Sequence, residues 1–259
     1  MGSEQAQIAA QLLYAAHSAV ALTGAGISTP SGIPDFRSPK SGLWEGIDPL
    51  VVASIYGFRQ DPQAFYNWIY PLTKLTLEAQ PNPAHYALAT LENQGKLQAV
   101  ITQNIDMLHT RAGNHVVKEL HGQFREATCT HCFTVFLAEP IIRQFLLDHE
   151  VPHCPYCGGV IKPNVILFGE QLPIQQLLAA QDFARKADLI LVVGTSLEVA
   201  PASELPMLAL RNGAKMIIIN LEPTHLDQAA TVVIHDNAAE VLPEIMQQME
   251  YIHEHDSQQ

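Results

Sequence analysis

The stretch Ala19-Val20-Ala21-Leu22-Thr23-Gly24-Ala25-Gly26 determines the fold class of this chain of 259 residues. Residues 19–23 are predicted to form a short buried strand, and the glycines after it allow a sharp turn of the main chain. A glycine-rich turn at the end of such a strand lets the backbone approach a phosphate group closely. The segment therefore predicts the start of a nucleotide-binding α/β domain.

Further strands and helices alternate along the chain. Predicted strands cover residues 99–102, 116–120, 189–193, 215–219 and 231–234, and predicted helices cover residues 6–16, 62–77, 83–94, 174–186 and 206–212. A last helix is expected to start at Asn237, because Glu240 three residues on resembles a capping box. This alternation predicts a parallel sheet with helices on both faces. It is interrupted around residues 36–80 and 122–170, which we interpret as insertions that form a second, smaller module.

The composition is that of a globular protein, with 47% apolar residues and a formal net charge of −12. An acidic surface repels phosphate backbones, so we expect no direct binding of nucleic acid. The longest apolar runs are far shorter than the roughly 20 residues of a membrane-spanning helix, so we expect no membrane association. The N-terminus lacks a basic stretch followed by an apolar core, which favours a cytoplasmic location. We also expect a monomer.

The four cysteines form two Cys-x-x-Cys pairs on either side of residues 133–153. The predicted metal ligands are Cys129, Cys132, Cys154 and Cys157. Two such knuckles place four thiolates around one tetrahedral Zn²⁺, and a filled shell predicts a structural ion rather than a catalytic one. Iron in the same four-thiolate site stays open as an alternative. His131 and His153 lie beside the ligands but are not expected to replace them.

Small and polar residues follow the other predicted strands. They are Gly194-Thr195-Ser196, then Asn220 with Glu222, and the segment Thr102-Gln103-Asn104-Ile105-Asp106. Ligands of open parallel sheets collect at the carboxyl ends of the strands, so these residues are expected to meet at one rim. Together they favour a nucleotide ligand.

A hydride-transferring dehydrogenase is disfavoured by the residues after the first turn. Thr29 stands where the dinucleotide fingerprint of dehydrogenases has its third glycine, and no second strand with an acidic end follows. A loop with the sequence Gly32-Ile33-Pro34-Asp35-Phe36-Arg37-Ser38 follows instead.

His121 lies directly after the predicted strand 116–120, at the same rim. An imidazole is the side chain best suited to exchange a proton near neutral pH, so His121 is a candidate general base. His85, His109 and His115 have weaker claims, and we expect them on helix or loop surfaces.

These motifs together resemble the sirtuin family of NAD-dependent protein lysine deacylases, of the bacterial and archaeal deacetylase type. The segments that carry the resemblance are residues 24–28, 32–38, 102–106, 120–122, the four cysteines, residues 162–165, 168–170 and 194–197, and Asn220 with Glu222. They occur in family order from about residue 17 to residue 245, so nearly the whole chain is covered.

The resemblance implies a discontinuous Rossmann-like domain of residues 1–35, 82–121 and 171–250. It also implies a small domain built from a helical module (36–81) and a zinc-binding module (122–170), with a polar, frayed tail at 251–259. NAD and an acyl-lysine side chain of a protein or peptide would enter the cleft between the two domains. The implied NAD-binding residues are Gly24, Ala25, Gly26, Ser28, Asp35, Phe36, Arg37, Gln103, Asn104, Asp106, Gly194, Thr195, Ser196, Asn220, Glu222 and Ala238.

The implied catalytic residues are His121, Asn104 and Asp106. His121 would be the general base, and the two others would form the pocket that admits nicotinamide and orders the ribose. The substrate peptide would add as a strand along Val165, Ile166, Phe168, Gly169, Glu170, Leu197 and Val199. The implied products are nicotinamide, O-acyl-ADP-ribose and free lysine.

Two departures from family patterns bear on specificity. Family members that prefer succinyl or malonyl groups carry a Tyr-x-x-Arg pair, but here Tyr66 is followed by Ile69 in place of the arginine. They also tend to have threonine at the position of Asp35. Both differences predict neutral acyl groups. Near the C-terminus Asp236 replaces an expected glycine, which bears on an adenine contact through Asn237 and Ala238.

Three alternatives compete with the deacylase. An ADP-ribosyltransferase would use the same cleft and the same NAD ribose carbon. A non-catalytic NAD-sensing or zinc-organised binding protein would not need His121, Asn104 and Asp106 together. A hydride-transferring oxidoreductase is the most distant alternative.

Overall fold

The computed structural model describes residues 2–35 and 48–256 of the chain. Within these ranges the strands are β1 Ala19–Thr23, β2 Leu97–Thr102, β3 Val117–Glu119, β4 Gly122–Cys129, β5 Val135–Leu137, β6 Ile161–Val165, β7 Leu189–Val193, β8 Lys215–Ile219 and β9 Val232–Ile234. The α-helices are α1 Gly2–Ala15, α2 Pro49–Val52, α3 Ile55–Gln60, α4 Pro62–Glu78, α5 Pro83–Asn93, α6 Leu108–Ala112, α7 Ala138–Asp148, α8 Ile174–Lys186, α9 Leu205–Arg211 and α10 Ala238–Asp256.

Six strands form one parallel sheet in the order β3-β2-β1-β7-β8-β9. The chain order runs outward in both directions from β1, so the sheet reverses its winding between β1 and β7. A crevice forms at such a switch point, beyond the carboxyl ends of the strands. The predicted fold class, a Rossmann-like parallel sheet with a smaller domain, is confirmed.

Helices cover both faces of this sheet because strands buried on both sides must hide both rows of side chains. In β1, Ala19 and Ala21 pack into one core with α1, α5 and α10. Val20 and Leu22 point the other way, into a second core with α8 and α9. The apolar run of β1 therefore reflects its central position in the sheet.

A second sheet, antiparallel, has the strand order β5-β4-β6. Its core is shared with aromatic side chains of α4 and α7: the ring centroids of Tyr66 and Phe145 lie 4.9 Å apart, and those of Phe65 and Tyr66 lie 5.4 Å apart. The small domain thus has one continuous core.

The predicted helices and strands of the large sheet agree with the structure to within a few residues. The side chain of Asn82 accepts the Ala84 N–H at the start of α5, as the predicted cap requires. One expectation is wrong: residues 251–256 of the expected frayed tail continue α10. Among the described residues, no helix is long and apolar enough to cross a lipid bilayer.

Candidate functional site

A cleft of about 1050 Å³ opens at the carboxyl ends of β1, β2, β7 and β8. The predicted site residues that line it are Gly24, Ala25, Gly26, Asp35, Gln103, Asn104, His121, Val165, Ile166, Phe168, Gly169, Glu170, Gly194, Thr195, Ser196, Val199, Asn220, Glu222 and Ala238. Ser28, Asp106 and Leu197 do not line it. Phe36 and Arg37 lie outside the described residues.

The turn after β1 packs directly against the turn after β7. The Gly24 N–H donates to the Val193 carbonyl at 3.1 Å, and the Gly26 N–H donates to the Gly194 carbonyl at 2.8 Å. Gly194 has a φ of +61°, and a Cβ there would lie 2.2 Å from the Ile27 nitrogen. Only glycine allows this approach of two backbones, which brings the two strand ends to one wall of the cleft.

Asn104 is held by one main-chain carbonyl and two side-chain hydroxyls. Its side-chain amide donates to the Gly24 carbonyl at 3.0 Å and to the Ser28 hydroxyl at 3.2 Å, and its own N–H donates to the Thr102 hydroxyl at 3.0 Å. With the amide nitrogen engaged, the amide oxygen is the group that can accept a hydrogen bond from a ligand.

Asp106 lies behind Asn104 and is only 4% exposed. It accepts hydrogen bonds from the Ser28 hydroxyl at 2.6 Å and from the Leu108 N–H at 2.9 Å. Burial raises the pKa of its carboxyl group, and the two hydrogen bonds oppose that shift. Ser28 and Asp106 therefore support the wall of the cleft from behind.

His121 follows β3 and faces the cleft. Its Nδ1 lies 3.0 Å from the Gln103 carbonyl oxygen. Burial lowers the pKa of the imidazole, although the Gln103 carbonyl opposes this. The His121 ring is thus neutral near pH 7. The Gln103 side-chain amide donates to the Thr195 hydroxyl at 3.0 Å, which connects the loop after β2 to the turn after β7.

The segment after β6 runs along the cleft, forms one β-bridge between Phe168 and Ser54, and turns at Gly169. The Ile166 N–H donates to the His121 carbonyl at 2.8 Å, and the Phe168 N–H donates to the Ala53 carbonyl at 2.9 Å. Glu170 accepts the Leu167 N–H at 2.8 Å and forms an ion pair with Lys162 at 3.0 Å. These bonds fix the segment on which the substrate was predicted to lie.

Leu197 is buried, with 2% exposure, and packs into the core shared with α8 and α9. Its side chain therefore lies away from the cleft that Val199 lines. Of the two residues predicted for this edge of the peptide site, only Val199 presents its side chain at the cleft surface.

The helical module contributes an apolar wall. Trp68, Ile69 and Leu72 of α4 line the cleft, but Tyr66 does not. The Tyr66 hydroxyl donates instead to the Ile161 carbonyl at 2.7 Å inside the small domain. Ile69 is only 2% exposed and packs mainly in the core of the small domain, so the preference for neutral acyl groups stays a prediction.

At the opposite end of the cleft, Asp236 and Asn237 precede α10. The Asp236 carboxylate accepts the Asn237 N–H at 2.7 Å, and the Asn237 amide oxygen accepts the Ala239 N–H at 3.0 Å. The aspartate that replaces the expected glycine is therefore accommodated as part of the turn before the helix, and the residue lines the cleft.

The donor set of the cleft fits a dinucleotide. The volume of the cleft is at the upper end of the usual range for small-molecule sites. Among the described residues that line it there is no lysine or arginine, so the N–H groups of the glycine turns and the side-chain amides are the donors available for phosphate and sugar oxygens. Such a turn at a strand end is the feature that recognises phosphate.

The four cysteines come together as predicted. All four sulfur atoms lie within 4.8 Å of one another, with Cys129 Sγ 3.5 Å from Cys157 Sγ and Cys132 Sγ 3.6 Å from Cys154 Sγ. These separations exclude disulfides, which need about 2.05 Å. A tetrahedral Zn²⁺ with bonds of about 2.3 Å places its sulfurs about 3.8 Å apart, so the residues fit this ion.

The backbone around these sulfurs is adapted to them. The His131 N–H donates to the Cys129 sulfur at 3.4 Å, which stabilises a thiolate. A Cβ on Gly159 would lie 2.9 Å from the same sulfur, so this position requires glycine, as predicted for the knuckle. The His153 ring bonds the Gly158 carbonyl at 3.0 Å.

The prediction that His85 and His109 lie on the surface is wrong. Their exposures are 0% and 2%, because α5 and α6 pack these faces against the end of the sheet. His115 is exposed, as predicted. His85 is followed three and four residues later by Leu88 and Ala89, so it could have been assigned to the buried face of α5 from the helical periodicity.

Comparison with known proteins places these features in one family. The Sir2 family model matches residues 24–201. The NAD-dependent protein deacylase 2 of Archaeoglobus fulgidus is 48% identical over 242 residues, which are 93% of this chain and 94% of that protein. The NAD-dependent protein deacetylase of Sulfolobus acidocaldarius is 42% identical over 250 residues, which are 96% of this chain and 97% of that protein.

Solved structures of Sir2 proteins are also similar to this chain. A Sir2 enzyme solved to study mechanism and regulation has a TM-score of 0.91 and 46% identity over 96% of this chain and 99% of that one. A Sir2 variant with deacetylated p53 peptide and 3′-O-acetyl ADP ribose has a TM-score of 0.88 and 40% identity over 93% and 97% of the two chains. Sir2Af2 bound to a myristoylated histone peptide has a TM-score of 0.84 and 40% identity over 97% and 99%.

Proposed function

The chain belongs to the Sir2 family, and from this membership we propose that it removes acyl groups from lysine side chains of proteins in an NAD-dependent reaction. It is an NAD-dependent protein deacylase whose products are nicotinamide, O-acyl-ADP-ribose and free lysine. The observation that carries the assignment is the cleft in which His121, Asn104 and the glycine turn after β1 meet the segment 165–170. The family match from residue 24 to residue 201 contains all of these residues.

NAD supplies, when bound, the ribose carbon that loses nicotinamide and the ribose hydroxyl that receives the acyl group. We assign the role of general base to His121. Because the Gln103 carbonyl can only accept, the imidazole carries its proton on Nδ1, and Nε2 is free to take a proton from a hydroxyl. Burial keeps this ring neutral at pH 7, which is the form that the reaction needs.

Asn104 and Asp106 have different tasks in this proposal. Asn104 reaches the cleft and offers its amide oxygen, so it orders the ribose and the departing nicotinamide. Asp106 is buried and acts through Ser28, whose hydroxyl also receives the Asn104 amide. It is therefore a positioning residue, and the predicted direct contact with NAD is assigned to Asn104 alone.

The substrate is an acyl-lysine peptide that adds as a strand beside residues 165–170. That segment is already tied by main-chain hydrogen bonds to His121 and Ala53. The peptide binds largely through its main chain, so we infer a loose sequence preference. Trp68, Ile69 and Leu72 make this part of the cleft lining apolar, and we infer that acetyl and longer neutral acyl groups are the preferred substrates.

We further infer that the protein works as a monomer in the cytoplasm and without nucleic acid. The cleft contains all of its proposed catalytic groups within one chain. Four thiols arranged as metal ligands are typical of a reducing compartment. Analytical ultracentrifugation of the protein with and without NAD tests the oligomeric state.

Mass spectrometry of a peptide panel tests the function. Peptides with acetyl-, butyryl-, myristoyl- and succinyl-lysine are incubated with and without NAD. We expect NAD-dependent loss of the neutral acyl groups and slow loss of succinyl. When the NAD carries a label in its ADP-ribose part, the label should appear in free acyl-ADP-ribose. Label attached to protein would favour the ADP-ribosyltransferase instead, and fast desuccinylation would contradict the argument from Ile69.

A further inference from the structure

Two histidines that the mechanism does not use, His85 and His109, lie side by side in the interior. Their ring centroids are 4.8 Å apart and their planes are inclined by 56°. Both side chains are buried, and among the described residues neither His85 Nε2 nor His109 Nδ1 has a hydrogen-bond partner. Unpaired polar atoms in a protein interior are rare and call for an explanation.

The proton of His85 can be located from its neighbour. The main-chain N–H of Asn82 donates to His85 Nδ1 at 3.3 Å, so Nδ1 carries a lone pair. Burial lowers the pKa of His85 to about 4, so the ring is neutral at pH 7. A neutral imidazole with an accepting Nδ1 has its proton on Nε2. The unpaired nitrogen of His85 is therefore a donor.

The proton of His109 follows from the hydroxyl next to it. The Thr23 hydroxyl donates to the Thr102 hydroxyl oxygen at 2.9 Å, and the same Thr23 oxygen lies 2.9 Å from His109 Nε2. Since the Thr23 proton is already used, His109 Nε2 must be the donor. Burial, together with the nearby His85, lowers the pKa of His109 well below its usual value, so its Nδ1 is an acceptor.

The structure does not join the two unpaired nitrogens by a hydrogen bond, but the rings are adjacent and the nitrogens are complementary, a donor on His85 and an acceptor on His109. We propose that His85 and His109 form a neutral hydrogen-bonded pair, and that this pair positions Asn104 through the hydroxyl groups of Thr23 and Thr102. The last step is present in the structure, because the Thr102 oxygen also accepts the main-chain N–H of Asn104 at 3.0 Å.

The position of Asn104 sets two features of the cleft. The amide of Asn104 is directed by the same loop whose Gln103 carbonyl orients His121. Thr23 and Thr102 are register partners at the ends of β1 and β2, so the chain of hydrogen bonds crosses the sheet at the rim of the cleft. A shift of this loop would move the ribose-facing side chain and the base together. This consequence rests on the proposed function, but the hydrogen bonds do not.

The hydrogen bonds are tested by NMR on the protein without NAD. A long-range ¹H–¹⁵N spectrum at pH 7.5 should show His85 and His109 as Nε2–H tautomers with slowly exchanging protons, assigned by their loss in His85→Gln and His109→Gln. In His109→Phe the main-chain amide of Asn104 should exchange with solvent faster, while the amide of Val192 in the centre of the sheet keeps its rate. An Nδ1–H tautomer of His109, or unchanged exchange at Asn104, would overturn the proposal.

Kinetics test the consequence for catalysis. We expect His109→Phe to lower kcat/KM for NAD by about 10²-fold, the size of effect that a misplacement of about 1 Å produces, with an unchanged KM for an acetyl-lysine peptide. His109→Gln, which keeps a donor near the Nε2 position, should retain most activity. His115→Phe, on the surface, is the matched control.

If His109→Phe and His109→Gln lose the same amount of activity, or if the KM for the peptide rises, the proposal that the histidine pair positions Asn104 is contradicted. Should His109→Phe not fold, Thr23→Val breaks the same chain with little change of volume and should show the same two effects. If the wild-type protein removes no acyl group, the proposed function fails, and the exchange rate of the Asn104 amide still decides on the histidine pair.

Discussion

The Nδ1 atom of His121 lies 3.0 Å from the main-chain carbonyl oxygen of Gln103. Gln103 follows β2 and His121 follows β3, and the two strands are parallel neighbours, so the contact is a direct result of the sheet order. Because the partner is a main-chain atom, no side-chain substitution at position 103 removes it. The tautomer of the base is therefore set by the fold itself.

Replacing His121 by alanine should abolish most of the deacylation. General-base catalysis contributes about 10² to 10⁴-fold, so we expect a loss of kcat in this range, measured with an acetyl-lysine peptide at saturating NAD. Binding of NAD, followed by calorimetry, should change little because the turns at Gly24 and Gly194 remain. His115→Ala serves as the control. Full activity in His121→Ala would refute the mechanism.

The pH dependence of kcat/KM should show an acid limb with a midpoint below 6.5. Burial lowers the pKa of His121, and the base is active only when it is neutral, so activity rises as the pH rises through that lowered pKa. Initial rates between pH 5 and pH 8 measure the profile. A midpoint at or above 6.5 would mean that the ring is not desolvated in the working enzyme.

The large sheet could be predicted from the sequence because its strands are unbroken apolar runs. β7 and β8 were predicted with the bounds that the structure shows, 189–193 and 215–219. A strand buried on both faces has no polar residues to obscure the signal. The ends of these strands then indicated which residues lie at the rim of the cleft.

The small domain and the buried histidines could not be predicted in the same way. β4 mixes Arg125 and Glu126 with buried residues, and its pairing with β6 joins segments separated by the cysteine knuckles. The burial of His109 depends on the packing of α6 against α5, which is a tertiary contact. Trp68 and Leu72 were missed at the cleft because a helical apolar face has the same pattern whether it lines a core or a binding site.

Removal of the metal should unfold the zinc-binding module. A Cys₄ site holds about one zinc ion per chain. Cys129→Ser removes one of the four ligands, so we expect this variant to lose its zinc and to have a lower melting temperature. His131→Ala, beside the ligands and exposed, should keep its zinc. Elemental analysis and thermal denaturation measure both. Strong visible absorbance of the purified protein would indicate iron instead.

Substitution of Gly194 by alanine should disrupt the cleft more than the same change at Gly213. Both glycines have positive φ, +61° and +92°, so both variants lose about 1 kcal/mol from the left-handed backbone. Only at Gly194 would the new Cβ collide with the main chain of Ile27, whereas nothing lies within 4 Å at Gly213. We expect Gly194→Ala to weaken NAD binding as well as stability, and Gly213→Ala to lose stability alone. Equal NAD affinities in the two variants would contradict the close packing of the turns.

The free energy of unfolding should fall as the pH is lowered from about 6.5 towards 4. Burial depresses the pKa of His85 to about 4 and that of His109 well below its usual value, so in this window the unfolded chain binds protons that the folded protein does not. Each such group contributes a slope of up to about 1.4 kcal/mol per pH unit. Urea denaturation at pH 7.5, 6 and 5 measures the slope.

The contribution of His109 to this slope is isolated by comparing one variant with the wild-type protein. His109→Gln removes one titrating group and should give a flatter pH dependence than the wild-type protein. If His109→Gln has the same slope as the wild-type protein, His109 takes up its proton in the folded state as readily as in the unfolded chain. That result would mean that burial does not disfavour the protonated ring, and that His109 loses its Nδ1 acceptor, and with it the pairing with His85, as the pH falls through about 6.5.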